Sequence, residues 1–304
     1  MAFSANEAAL EGFRIVRREP LTFAVWTIGV LVFGVGFLAL LMPMMAPMMA
    51  LSSPGTLGAR PDPALAAQIL PVMGRLYAIM IPMLLIYMAV ANAAVYRAVL
   101  RPDETRFGRI RLGADELRLL GVSILLGLLY IAVSVGAVIV CMIVAALAAL
   151  AFRSQIALAM GVSILVAYLI VFGLMIWMGV RLSLAAPMTF AERRIVVFRS
   201  WSLTKGRFWG LLGCYLLVFA MLVGLYMAMM CLYGAASLVA TGGSLTRAGA
   251  FMLRPDMTSL QAYLTPPRIA YMVLVAPLSA LILAVSAAPP AAAYRALVAD
   301  RASA

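Results

Sequence analysis

Six of the 23 cationic side chains fall between positions 181 and 207: Arg181, Arg193, Arg194, Arg199, Lys205 and Arg207, with Trp201, Phe208 and Trp209 among or beside them. Arginine forks match the geometry of phosphate, and tryptophan prefers the headgroup layer of a bilayer. Each such charge near an anionic leaflet contributes about 1 kcal/mol. The chemistry this predicts is recognition of a lipid phosphate, and Arg181, Arg199, Lys205, Arg207, Trp201 and Trp209 are the candidate residues.

Other chemistries find fewer parts. Acid–base or nucleophilic catalysis needs a base, a nucleophile or a metal within reach of one another, and the chain has no histidine and eleven acidic residues. The pairs Asp103-Glu104 and Asp115-Glu116 sit among Arg101, Arg106, Arg109, Arg111 and Arg118, a pattern of solvated salt bridges that lacks the further ligands a metal site wants. The expectation is a non-enzymatic protein with no cofactor and no metal. Cys141, Cys214 and Cys231 read as small buried residues. The methionine clusters MPMMAPMMA (42–50) and MAMMC (227–231) have thioethers suited to Cu(I), but without histidine beside them they read as packing. For a transport path the candidates are Asn92, an amide within an apolar run, and Pro82 and Pro277, which could break helices and expose backbone to a substrate.

The elements that must carry these residues are helical and made for lipid. Hydrophobic residues are 66% of the 304 and charged ones 11%, with mean hydropathy +1.09, against about 45–50% and about 25% in soluble domains. Uncharged runs of at least the ~20 residues needed to cross a bilayer predict spans near 21–43, 76–99, 119–148, 157–180, 208–234 and 269–290. The first exceeds a signal-peptide core and reads as a permanent helix. No soluble domain is expected before or after the membrane part. Alternate connections hold 17 of the 23 Lys and Arg, leaving Arg60, Arg75, Arg153, Arg247, Arg254 and Arg268 on the other side. The positive-inside rule then puts both termini in the cytoplasm. The net charge of +12 follows from insertion, and no nucleic-acid partner is expected.

An offset of 185 aligns Ser4, Glu7, Phe13, Arg14 and Phe23 with Thr189, Glu192, Phe198, Arg199 and Phe208. Ser4-Ala-Asn-Glu7 and Thr189-Phe-Ala-Glu192 both have the form of a capping box. Each predicts an amphipathic interface helix, the first with Glu7, Glu11, Arg14 and Arg18 on its polar face. Tyr96-Arg97-Ala98 and Tyr294-Arg295-Ala296 close the second and sixth spans. The predicted organisation is a single all-α membrane domain, 1–304, with an internal parallel repeat. It comprises an interface helix at 4–19, a first helix pair at 20–100, a basic loop and central hairpin at 101–187, a second interface helix at 188–206 and a second helix pair at 207–304.

The stretch RLSLAAP, an acidic residue, then FRSWSLTKGRFWGLLG (181–213), with an N-terminal helix leading to a proline and a closing YRAL, resembles a bacterial family. These are polytopic inner-membrane proteins related to the membrane domain of glycerophosphodiester phosphodiesterases and to the uncharacterised YciC-like proteins. The segment YRAVLRPDETRFGRIRLGADELRLL (96–120) resembles what alphaproteobacterial members carry between spans two and three. The resemblance implies a bacterial inner-membrane location. It carries over no activity, since catalysis in the phosphodiesterases belongs to a separate domain with histidine and carboxylate ligands. Together these features predict a multipass inner-membrane protein binding anionic lipid or a protein partner at its basic cytoplasmic face; the alternative is a transporter of a lipid or small amphiphile.

Overall fold

The computed structural model describes residues 4–51, 63–104, 106–151, 155–253, 256–257 and 259–302. Twelve α-helices lie among them: α1 (Ala5–Ala9), α2 (Glu11–Arg18), α3 (Pro20–Leu51), α4 (Pro63–Leu100), α5 (Ala114–Ala151), α6 (Ile156–Leu182), α7 (Ala185–Glu192), α8 (Arg199–Leu203), α9 (Phe208–Ala240), α10 (Leu245–Leu253), α11 (Leu260–Tyr263) and α12 (Pro266–Ala302). Arg60, Asp62, Arg153, Arg254 and the methionine side chains beyond Pro43 in the first cluster lie outside what is described.

Among the described residues six stretches are long and apolar enough to cross a membrane: Pro20–Pro43, Leu70–Leu100, Phe107–Ala151, Met160–Glu192, Phe208–Ala240 and Pro266–Arg301. In hydrocarbon every backbone N–H and C=O must be satisfied within the segment, which selects helix. At 1.5 Å per residue the 33 residues of α9 run about 50 Å, longer than the ~30 Å bilayer core, so its ends reach the headgroup layers. The chain is an all-helical membrane protein. Pro82 lies inside α4, which continues past it, and Pro277 lies inside the unbroken α12. Neither proline breaks its span. The amide each proline lacks is one missing hydrogen bond in a helix of more than thirty residues.

The chain divides into two compact units. In the unit formed by Ala9–Arg111 and Leu216–Pro289, α12 presents the buried stripe Ala276, Ala280, Ala284 and Ala288. Small residues at every fourth position let another backbone approach closely. Gly12 of α2 takes that place: a Cβ there would lie 2.7 Å from Ala284 O and Val285 Cα. Close seating of α2 also explains why Glu11, expected on a polar face, is only 5% exposed. Arg14 Nη1 stays 3.6 Å from its Oε2. Between α3 and α4 the rings of Phe33 and Tyr87 stack at 3.8 Å.

The other unit, Met1–Ala8 with Leu112–Tyr215 and Pro290–Ala304, contains the α5–α6 hairpin. Its core is Leu119, Val122, Leu184, Ala185 and Phe190, all almost fully buried. Most of α5 and α6 beyond that end exposes leucine, isoleucine and valine, as expected of surfaces solvated by acyl chains.

The predicted second interface helix is corrected. α7 ends at Glu192, and Arg193 adopts a left-handed conformation at φ 54°, a common helix stop that glycine usually supplies. Helix resumes only for the five residues of α8. Thr189 therefore lies inside α7 and caps nothing; its buried Oγ1 accepts from Val196 N at 3.1 Å and folds the 193–198 segment back on α7. Ser4 does precede α1, with Glu7 N 3.5 Å from its Oγ, but helix is interrupted at Leu10. The two YRA endings also differ, since Arg97 is buried and Arg295 exposed.

Candidate lipid-phosphate site

Arg181 occupies the last turn of α6, where the helix dipole favours a cation. Its backbone carbonyl is a docking point: Ser200 Oγ donates to it at 2.8 Å, with Thr204 Oγ1 at 3.5 Å. Ser200 and Thr204 are fully buried, so these bonds tie α8 to the end of α6. The tie places Trp201 edge-on to Trp177, with ring centroids 4.6 Å apart at 89°. The guanidinium carbon of Arg181 then lies 5.9 Å from the centroids of both Trp201 and Phe208, at the outer limit of cation–π attraction.

Two nitrogens of that guanidinium are unmatched. Nε and Nη1 of Arg181 are buried and have no acceptor among the described residues. A buried cationic donor left unpaired is costly, and such groups normally carry a partner. Cationic donors shielded from water, beside aromatic rings and without a carboxylate among the described residues, are suited to phosphate oxygens.

The remaining cationic candidates are arranged differently. Arg199 Nη1 pairs with Glu192 at 2.8 Å, and Arg194 Nη2 binds the same carboxylate at 2.7 Å. Arg207 Nη1 pairs with Asp300 Oδ2 at 2.8 Å. These ion pairs neutralise two of the expected phosphate ligands. Lys205 is exposed, and Trp209, 80% exposed, makes an edge contact with Phe208 at 5.4 Å. The structure thus brings Arg181, Trp201 and Phe208 together and leaves Lys205 and Trp209 at the surface.

Asn92 is half-buried in α4. A cavity of about 200 Å³ beside Trp26, Tyr87, Ala91 and Ala94 has neither Asn92 nor Pro82 nor Pro277 in its walls. Among the described residues three arginines are buried, which the sequence did not indicate: Arg97, Arg109, expected in a solvated salt-bridge pattern, and Arg268, at 2%, 1% and 5% exposure. Charge counting treats every arginine as a surface group, and only Arg268 carried a signal, directly after Pro266-Pro267 at the start of a span. No family model matches the chain, and neither a curated protein nor a solved structure does.

Proposed function

We propose that this chain is a non-enzymatic multipass protein of the bacterial inner membrane, with both termini cytoplasmic, that holds the phosphate of an anionic phospholipid at Arg181. One observation carries the proposal: the shielded Nε and Nη1 of Arg181, unpaired beside Trp201 and Phe208. The orientation follows from 17 of the 23 cationic residues falling on alternate connections. Lys205 and Trp209 serve as headgroup-level anchors, while Arg199 and Arg207 chiefly hold Glu192 and Asp300.

Native mass spectrometry of protein taken from nanodiscs of mixed phosphatidylglycerol and phosphatidylcholine tests this. The wild type retains phosphatidylglycerol in preference, Arg181→Ala loses one retained molecule, and Arg199→Ala keeps it. Equal retention by wild type and Arg181→Ala refutes the site.

A further inference from the structure

We propose that Arg268 and Thr265, at the start of α12, form a second site for the phosphate of an anionic membrane lipid, with its acyl chains in the groove between α9 and α12. α9, long enough to cross a bilayer, separates this site from Arg181 in sequence, and the inference does not depend on the first site.

Arg268 is 95% buried, being 5% exposed, and no carboxylate pairs with it among the described residues. Its guanidinium carbon lies 4.5 Å from the Phe251 ring centroid and 4.6 Å from that of Tyr263. Nη2 donates to Phe251 O at 2.8 Å. Those contacts hold the cation in place without matching its charge, and Nε is buried with no acceptor.

Thr265 supplies the complementary group. It occupies the N-cap position of α12, where a hydroxyl ordinarily accepts from the amide two or three residues on. Here the residue two on is Pro267, which has no N–H, and Arg268 N already donates to Thr265 O at 2.9 Å. Thr265 Oγ1 is accordingly buried with no partner. A free hydroxyl and a free guanidinium Nε three residues apart share one face of the helix start, and both can donate to one phosphate.

The groove continues from this point. Tyr271, one turn beyond Arg268, meets Tyr233 of α9 at 4.6 Å between ring centroids. Next to them Leu232, Ala236, Val239, Pro267 and Leu274 line an apolar cleft of about 430 Å³. A buried uncompensated cation next in sequence to Pro267 and one turn from Tyr271, both of which line the apolar cleft, calls for a ligand with an anionic head and a hydrocarbon tail.

The test uses the full chain in nanodiscs containing phosphatidylglycerol, with inorganic phosphate in detergent as the control. Thr265→Val keeps Arg268 and its aromatic contacts, and Ala236→Trp fills the cleft while leaving both polar groups intact. Each is expected to weaken retention of one phosphatidylglycerol about tenfold, the scale of a single charge-assisted hydrogen bond, whether or not Arg181 is intact. If both variants fold and hold phosphatidylglycerol as the wild type does, the site is overturned. If inorganic phosphate alone stabilises the protein in detergent as fully as the lipid does, and Thr265→Val abolishes that effect, a free anion replaces the lipid as occupant. Loss of lipid in Arg181→Ala but in neither of these variants would spare the first site and refute this one.

Discussion

The Arg109 guanidinium and the Glu19 carboxylate, ninety residues apart, meet two-on-two, with Nε 3.0 Å from Oε2 and Nη2 2.7 Å from Oε1. The remaining N–H groups of Arg109 donate to the carbonyls of Arg101, Pro102 and Glu104 at 2.9–3.0 Å and of Arg97 at 3.3 Å. One side chain thereby caps the end of α4, closes the 101–109 loop and fixes it to the start of α3. Thr22 Oγ1 donates to the same carboxylate at 3.0 Å.

Breaking such a pair strands a buried charge, which costs about 3–5 kcal/mol. Glu19 retains 26% exposure, so the lower end applies, and Arg109→Ala should destabilise the protein by about 3 kcal/mol. Arg109→Lys should recover little, because an ammonium cannot reproduce the planar fork. Reversible unfolding in mixed micelles measures both; a loss below about 1 kcal/mol for Arg109→Ala, the level of an exposed pair, would show that the carbonyls find other donors.

The spans were legible because hydrocarbon leaves the backbone few options and uncharged runs mark where it lies. The charged connections were not legible in the same way. Arg97 and Arg109 become buried, with the half-buried Glu19 beside Arg109, only when the loop folds onto two helix ends, which no local spacing encodes. At 188–206 the sequence was misleading: a hydroxyl three residues before a glutamate fits a capping box, yet α7 had already begun at Ala185. Thr189 Oγ1 bonds to Val196 N instead, and Glu192 gathers Arg194 and Arg199. Arg181 was legible as a phosphate candidate from its residue type and place. What sets it apart from Arg199 and Arg207, the lack of a carboxylate, depends on which acids the fold brings near.

Gly108 is the second fastening of the same loop. It has φ +59°, and a Cβ would fall 2.6 Å from Val25 Cγ1. Its carbonyl accepts from Trp26 Nε1 at 2.8 Å. Phe107 and Arg109 also have positive φ, 48° and 66°, so the loop already contains two strained non-glycine residues, of order 1 kcal/mol or more each. Gly108→Ala adds both a third and a steric clash, and should destabilise by about 2–3 kcal/mol. Trp26→Phe, which removes the hydrogen bond together with part of a buried ring and leaves a buried carbonyl unpaired, should cost about 2–4 kcal/mol. With the other three tryptophans replaced by phenylalanine, Trp26 fluorescence should report the release of the loop in Gly108→Ala. An unchanged spectrum with unchanged stability would mean that the loop is held by Arg109 alone.

Gly12 sets two effects of opposite sign against each other. Glycine inside α2 is less favourable than alanine by about 1 kcal/mol, so Gly12→Ala would stabilise an isolated helix. In the folded chain the new methyl would lie 2.7 Å from Ala284 O and Val285 Cα, both backbone atoms of the long helix α12. Overpacking of this kind costs about 1–3 kcal/mol, and backbone cannot rotate away as a side chain can. The clash therefore wins, and Gly12→Ala should lift α2 from α12. Gly34→Ala in α3, with nothing within 4 Å of the added Cβ, gains propensity without a clash and should be neutral or stabilising. Ile15 of α2 is only 6% exposed, so a cysteine at that position should resist maleimide labelling in the wild-type background. The same cysteine should label several-fold faster when combined with Gly12→Ala and no faster with Gly34→Ala. Equal protection in all three backgrounds would mean that α2 tolerates the methyl by sliding along the alanine stripe.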